Sequence, residues 1–486
     1  MLWAYVISGL GIMGFMLMRF SRSEKRADYL NTLAIIHSAI YLILSVIALI
    51  KIQQPSYFFS RYLMIDRLSV YEVLISCVIF LLSSFYARGY VRRLVHSGEI
   101  EVRELTLFYA AYNLLLLVIV FAFYCNNLAF FWILLELTTI LSAVLIVTLN
   151  AKENIVAALK YVFTASTAML FSIIGLIILF ALTRHATGTG TLNWDTLMQQ
   201  AGTLSPRLFT FAFIFIFIGF AAKAGIVPFH TWLPQAHAKA PSVISVLLSA
   251  VLLNIGIYGV LRLYAVAHKT TAWHTVSLIL IGFGVLTIII AALSMLPRGN
   301  VKKLIAFSSI EHMGFLLVGI GLGTPLALFW VLFHTLAHAL VKTQLFFSAG
   351  ILHQQYHSNQ FEDMKDVFAL QPLAAWGLII GSMAIIGVPL FPVFLSKLNI
   401  LTQLADYSLP VMFVLLVCFL IVAAAFAAIL IRTIPQSSES KLEPYHVSLS
   451  MQLPIVILFA GIVLIGVYFP AGLHDMLMGI VRSLGF

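Results

Sequence analysis

The chain has 486 residues, of which 62% are apolar and only 9% are Asp, Glu, Lys or Arg, where a soluble domain carries about 25% charged residues. This composition excludes a soluble enzyme and, at roughly 20 residues per crossing, leaves room for well over ten membrane helices. The formal charge of +10 rests on 28 Lys and Arg spread along the whole chain, which is the pattern of positive cytoplasmic loops rather than of a nucleic-acid face.

In chain order, fourteen apolar runs are expected to cross the membrane: Leu2–Met18, Thr32–Ile50, Leu68–Tyr86, Leu105–Tyr124, Leu128–Leu149, Leu159–Thr183, Leu208–Phe229, Ser242–Leu261, Val276–Leu296, Leu304–Leu322, Pro325–Leu352, Pro372–Leu401, Leu409–Ile431 and Leu453–Phe469. The fold class is therefore an all-α polytopic membrane protein. The first run lacks a small-residue cleavage site and is expected to be a retained crossing, not a removed signal. Alternate loops, beginning with the first, hold Arg19, Arg22, Lys25, Arg26, Arg88, Arg92, Arg93, Arg103, Lys152, Lys239, Arg298, Lys302, Lys303, Lys365, Arg432 and Lys441; these are 16 basic residues, against 8 on the opposite side. The positive-inside rule then places both termini outside the cytoplasm. The loops are too short for a nucleotide-binding domain, and neither a Walker A nor a GxGxxG pattern occurs. Cys77, Cys125 and Cys418 form no CxxC pair, so no Fe–S, zinc or disulfide framework and no cofactor is expected.

Four lysines, Lys160, Lys223, Lys342 and Lys397, lie in or beside apolar helices together with Glu136 and Glu311. A charge at a helix centre costs about 2.5–3.5 kcal/mol on insertion scales, so such groups face a bundle interior and are functional candidates. Glu136, in AFFWILLELTTILSAVLIV, and Lys223, in FIGFAAKAGIVPFHTWLP, supply a carboxyl and an amine whose pairing makes a switchable proton site; a fixed ion pair that only sets helix packing is the alternative. Pro228 and Pro234 follow Lys223, and Pro389 and Pro392 precede Lys397, so helices seven and twelve are expected to be broken, as transporter helices are along an ion path. In FHTLAHALVKTQLFF, His334, His338 and Lys342 recur every four residues on one helix face, which suits a proton relay; packing histidines or a zinc pair are the alternatives. Glu311 and His312 add a titratable pair on helix ten, and Asn254 is a polar centre in helix eight. His230, His237 and Lys239 are either loop residues or the entrance of a path. Glu72, near the start of helix three, is expected to snorkel to the interface, and Asn359–Asp366 reads as a solvated loop.

The run KAGIVPFHTWLPQAHAKAPSVISVLLSAVLLNIGIYGVLR, Lys223 to Arg262, resembles the antiporter-like membrane subunits of respiratory complex I and its relatives. So do RGNVKKLIAFSSIEHMG, HALVKTQLFFSAG and WILLELTTI. Within that superfamily, SSIEHMG and the short chain are most similar to the F-type membrane subunit of hydrogenase-4 and formate hydrogenlyase complexes. The resemblance implies two inverted five-helix repeats, 105–266 and 267–434, flanked by N-terminal helices in 1–104 and a C-terminal helix in 435–486. It implies that Glu136 and Lys223 are the coupled pair of one half-channel and that Lys397 is the exchange residue of the other. Lys160, His334 and His338 would carry protons between them. Asn254 departs from the pattern, because many relatives have a lysine there, and an asparagine cannot titrate; water, or Glu311 with the two histidines, must bridge it. The expected function is proton translocation within a complex I-like or hydrogenase-type energy-converting complex. The redox or other driving chemistry would lie in partner subunits, both membrane and peripheral, with membrane lipids around them. The alternatives are a Na⁺(K⁺)/H⁺ antiporter module, or a proton-conducting subunit coupled to a non-redox partner such as a carbon-uptake protein. A catalytic centre of its own, a metal and a nucleic-acid partner are not expected.

Overall fold

The computed structural model describes residues 2–17, 25–149, 152–296, 299–433 and 443–486. Arg19, Arg22, Arg298 and Lys441, which carry part of the charge-based orientation, and the repeat boundary at 434–435 lie outside the described residues.

Helices α1 (Leu2–Leu17), α2 (Lys25–Lys51), α3 (Arg67–His96) and α4 (Leu105–Phe123) form an N-terminal bundle. They are followed by α5 (Leu128–Val147), α6 (Lys152–Thr187), the short α7 (Trp194–Gln200), α8 (Pro206–Lys223) and α9 (Trp232–Lys239). Next come α10 (Ser242–Leu247), a π-helical turn over Leu248–Leu252, α11 (Leu253–His268), α12 (Trp273–Met295), α13 (Val301–Leu322) and α14 (Pro325–Tyr356). The chain closes with α15 (Val367–Leu370), α16 (Pro372–Ile386), α17 (Pro392–Tyr407), α18 (Leu409–Thr433), α19 (Leu449–Val467) and α20 (Ala471–Ser483). Twelve described helical stretches are long and apolar enough to cross a membrane. Of the other two expected runs, the first is the shorter helix α1, and the twelfth is the pair α16 and α17. The all-α reading has one local exception, a hairpin of β1 (Ser56–Phe58) on β2 (Leu63–Ile65) at the loop before α3.

Helix ends follow local chemistry. Asp66 caps α3 through a reciprocal box with Ser69, the two bonds measuring 2.8 and 2.9 Å, and Asn127, Asn300 and Thr324 cap α5, α13 and α14 by accepting from otherwise orphaned amides. The expected breaks are present. The first runs from Ala224 to Thr231 between α8 and α9 and contains Pro228. Pro234 does not belong to it: this residue sits in the first turn of α9, where an amide would have no intrahelical acceptor to lose. The second break holds Pro389, with Gly387 at φ +93 ending α16, a conformation that costs glycine nothing. Pro392 opens α17, the first-turn position that suits its fixed φ.

A membrane offers no water to lone backbone groups, and both breaks meet this demand internally. Trp232 Nε1 donates to Ala222 O at 3.1 Å and Val227 N to Thr287 Oγ1 at 3.2 Å, while the carbonyls of Ile385 and Ile386 are taken by side chains described below. The helical stretch Ser242–His268 and α13 are buried on every side, whereas α18 and α19 are mostly open on the flank, so the axis of the molecule runs through α10–α11, α13 and α14. Close crossings use small residues, as membrane interfaces do: a Cβ on Gly256 would stand 2.7 Å from Ala224 N, and one on Gly314 would stand 2.8 Å from Gly284 O. In the N-terminal bundle, Asn31, Ser38 and Ser45 recur every seven residues on α2 and are buried. They join α3 through Ser84 and Cys77, and His37 joins Asn113 of α4 at 2.7 Å, so polar contacts hold these helices together.

Candidate proton path

The second half of the molecule carries a continuous cluster. Glu311 and His312 on α13 face His334 on α14 and Lys397 on α17, and all four are buried. Lys397 Nζ lies 3.2 Å from Glu311 Oε1, and Glu311 Oε2 lies 3.2 Å from His312 Nε2. His312 Nδ1 is 2.7 Å from His334 Nε2, and His334 Nδ1 is 2.7 Å from Ser396 Oγ. The cluster is tied to the second helix break. His312 Nε2 reaches Ile385 O at 3.2 Å and Lys397 Nζ donates to Ile386 O at 3.4 Å, so carbonyls freed at the end of α16 become ligands of the titratable groups. The amine also stands 4.2 Å over the ring of Phe419, within the range of a cation–π contact.

His338 and Lys342 continue along α14. The ring of His338 is centred 5.4 Å from that of His312, and Lys342 Nζ donates to Ile305 O at 2.9 Å and to Ser308 Oγ. Here the polar groups outnumber their protein partners. Both ring nitrogens of His338, both of His237 and both side-chain polar atoms of Asn254 are buried without a hydrogen bond. An unsatisfied buried polar group costs about 1–3 kcal/mol, and such positions in native proteins are where ordered water binds. His237, stacked at 4.8 Å on Phe346, is thus part of the core of α9, not a loop residue. The π-helical turn falls immediately before Asn254, a distortion that helices carry preferentially at functional sites. Among the described residues no group of three His, Cys, Asp or Glu is arranged to hold a metal ion.

In the first half, Lys223 ends α8 at the first break and is buried. Its Nζ donates to Thr139 Oγ1 at 2.8 Å and to Tyr161 OH at 3.3 Å. Glu136 lies one turn before Thr139 on α5, half-buried, with Oε2 accepting from Ser166 at 3.0 Å and Oε1 unpartnered. The two expected partners therefore flank the Thr139 turn and form no direct ion pair. Lys160 departs from expectation: it is on an exposed face of α6, because the turn that carries it turns Ala157, Ala158 and Tyr161 inward. Its removal deletes no buried contact, so Lys160→Gln is expected to leave proton translocation within about twofold of the parent, as surface substitutions do; vesicle acidification assays read this directly. His230 is half-buried at the break with Nδ1 unpartnered, and Lys239 pairs with Glu153 of α6.

Three further titratable residues at one end of the molecule were not singled out by the sequence. Lys302 looked like a loop charge, yet it is 2% exposed and donates to Ala240 O at 3.1 Å. Beside it, His353 Nε2 stands 3.4 Å from Glu99 Oε2, and that hydrogen bond holds the Glu99 carboxyl below its ordinary value. These three, with Asn154, Lys239 and Asn359, line a cavity of about 340 Å³ at the end of α9. The doublet Lys302–Lys303 gave no hint that one side chain turns in and the other out.

Residues 125–423 match the family described as NADH:quinone oxidoreductase/Mrp antiporter, TM. Over 459 residues the chain is 28% identical to a Hydrogenase-4 component F homolog of Methylacidiphilum infernorum, covering 94% of each. Over 325 residues it is 33% identical to NADH-quinone oxidoreductase subunit M of Pseudomonas aeruginosa, covering 65% of this chain and 62% of that one, so it spans less than two thirds of this relative. A chain in the structure of the membrane-bound sulfane sulfur reductase, an archaeal respiratory membrane complex, has the same fold, with a TM-score of 0.86 at 24% identity over 99% of this chain and 96% of that one. The family match takes in both broken helices and the whole Glu311–Lys397 cluster, and the chain belongs to the NADH:quinone oxidoreductase/Mrp antiporter family of membrane proteins.

Proposed function

We propose that this multi-pass membrane protein is the proton-translocating, antiporter-like subunit of an energy-converting complex in a prokaryotic inner membrane, of the complex I or hydrogenase-4 kind. The observation that carries the reading is the Lys397–Glu311–His312–His334–Ser396 series at the second helix break, joined by ion-pair contacts of 3.2 Å at Glu311 and hydrogen bonds of 2.7 Å beyond His312. Protons enter from the cavity beside Lys302, Glu99 and His353 and pass His237 and the Lys342–His338 stretch. They leave by way of Glu311 and Lys397. Lys223, with Glu136 one turn beyond Thr139, sets the charge state of the first half. A neighbouring subunit that shifts the Glu136–Lys223 distance changes which of the two holds the proton. The Glu136–Lys223 and Glu311–Lys397 halves belong to two inverted repeats, 105–266 and 267–434, and both termini lie outside the cytoplasm.

Protons fit this site better than sodium. Its one carboxylate faces a lysine and an imidazole, whereas hard cations need several oxygen ligands. The complete complex, purified and sealed into vesicles with a pH-sensitive dye, is expected to acidify the lumen equally well in sodium and choline buffers. Acidification that requires sodium would overturn the proton reading in favour of the antiporter one.

A further inference from the structure

One buried carboxyl takes no part in this path. Glu72, in the second turn of α3, was expected to reach the membrane interface, but it is 4% exposed. Among the described residues its carboxyl has neither a hydrogen bond nor an ion pair. It is costly to keep such a group where apolar packing would serve.

The register of α3 places Glu72 by its height in the membrane. Glu72, Ser76, Ser83 and Tyr90 are separated by four, seven and seven residues and therefore share one helix face. At one end of that face Tyr90 OH accepts from Ser242 N at 3.1 Å. At the other, just before the helix, Asp66 holds Arg262, with oxygen–nitrogen distances of 2.6 and 2.7 Å. These two contacts make α3 antiparallel to α10–α11. Along that register, in which α3 packs on α10 and the π-helical turn, Ser76 falls at the height of Asn254 and Glu72 one turn beyond it, at the height of Tyr258. On α11, Asn254, Tyr258 and Arg262 recur every four residues, and Arg262 Nε donates to Tyr258 OH at 3.1 Å. Ser83 Oγ and both polar atoms of Asn254 are buried and unpartnered. The polar stripe ends under a second cavity of about 340 Å³, at the opposite face of the molecule from Lys302, lined by Asp66, Arg67, Asp195, Arg262 and Lys269. There Arg262 overcomes the burial that would raise the Asp66 carboxyl and holds it below its ordinary value. Asp66 is committed to Arg262 by two contacts, and Glu72 has no such partner among the described residues.

We infer that Glu72 is a proton-carrying residue on a second branch, which leaves the central path at Asn254 and reaches the opposite face beside the Asp66–Arg262 pair. In each passage the carboxylate takes one proton from water bound at Asn254 and returns one to water in the cavity, with no other bond made or broken. The bland alternative is a permanently protonated packing carboxyl. The inference rests on the proton-translocation reading, and the test separates the two.

In the complete complex, in inverted membrane vesicles energised by its own exergonic reaction, Glu72→Gln is expected to lower proton uptake per turnover by half or more. Glu72→Asp should restore most of it, and both variants should assemble in parent amounts. Dicyclohexylcarbodiimide, which modifies protonated carboxyls in apolar surroundings, should label the peptide carrying Glu72 in the parent and not in Glu72→Gln. Uptake at the parent level in Glu72→Gln overturns the branch whatever the labelling, provided Lys223→Ala abolishes uptake in the same vesicles. Parent-level uptake in both variants would instead bring down the reading on which the branch rests. If Glu72→Gln fails to assemble, then Glu72→Asp, together with Asn254→Leu at the branch point, decides: full uptake with both overturns the proposal.

Discussion

Lys397→Met is expected to damage the protein more than Glu311→Gln does, and more than the two substitutions together. Glu311 is wholly buried, and among the described residues Lys397 at 3.2 Å is the one lysine in contact with it, Lys342 acting on it from farther away. Removing one partner of a buried ion pair leaves an uncompensated charge and costs about 3–5 kcal/mol, while replacing both with groups of similar volume is often neutral. The reverse deletion is gentler, because Lys397 keeps Ile386 O at 3.4 Å and the Phe419 ring at 4.2 Å. The expected order of thermal stability in the intact complex is therefore parent and Glu311→Gln/Lys397→Met highest, Glu311→Gln between, and Lys397→Met lowest. All three variants should have lost proton translocation, since the double variant restores packing but has no group left to exchange a proton. A Lys397→Met protein as stable as the double variant would mean that the pair is not the closed unit its geometry implies, and translocation by the double variant would remove it from the path.

The sequence was most informative where charge met apolar surroundings. A lysine amid phenylalanines has few physical explanations, so Lys223, Lys342, Lys397, Glu136 and Glu311 stood out without any structure, and one proline of the pair beside each of two of them, Pro228 and Pro389, lies in a helix break. What was hidden was direction. An i, i+4 spacing shows that His334, His338 and Lys342 share a face, but not that His334 bonds to Ser396 while His338 is left without a protein partner. Lys160 and Lys223 look alike as isolated lysines in apolar runs; α6 turns the first outward, and α8 buries the second. Lys302 misled in the opposite sense, because a basic doublet beside a loop is the ordinary form of an orientation signal. The inward turn of one member depends on α9 ending at Ala240, a tertiary fact. The π-helical turn before Asn254 has no signature in SVLLSAVLLN, since every residue there is compatible with an ordinary helix. Glu72 was legible as a charge near a helix end, where snorkelling is the usual fate; only the packing of α3 against α10, the π-helical turn and α14 removed that option.

The second large effect concerns Lys223, and its informative variant is arginine. Lys223→Ala is expected to lower proton translocation about a hundredfold or more, the lower end of what a positioned proton-transfer group contributes. That result alone would not tell a titrating amine from a structural cation. The amine donates to Thr139 and Tyr161, Tyr161 stacks 4.2 Å from Trp232, and Trp232 secures Ala222 O at the end of α8, so alanine also loosens the break. Arginine keeps the positive charge and several donors for the same two hydroxyls, but a guanidinium is not deprotonated in proteins. If Lys223 works by giving up and regaining a proton, Lys223→Arg must assemble with parent stability and still fail to translocate. Should Lys223→Arg move protons at the parent rate, Lys223 is a fixed charge that shapes the field around Glu136. The exchanging groups of the first half would then have to be sought on the other side of the break, at His230 and His237. Tyr161→Phe, which removes one of the two acceptors while preserving the stack on Trp232, is expected to fall between parent and Lys223→Ala, because the amine then holds its place through Thr139 alone.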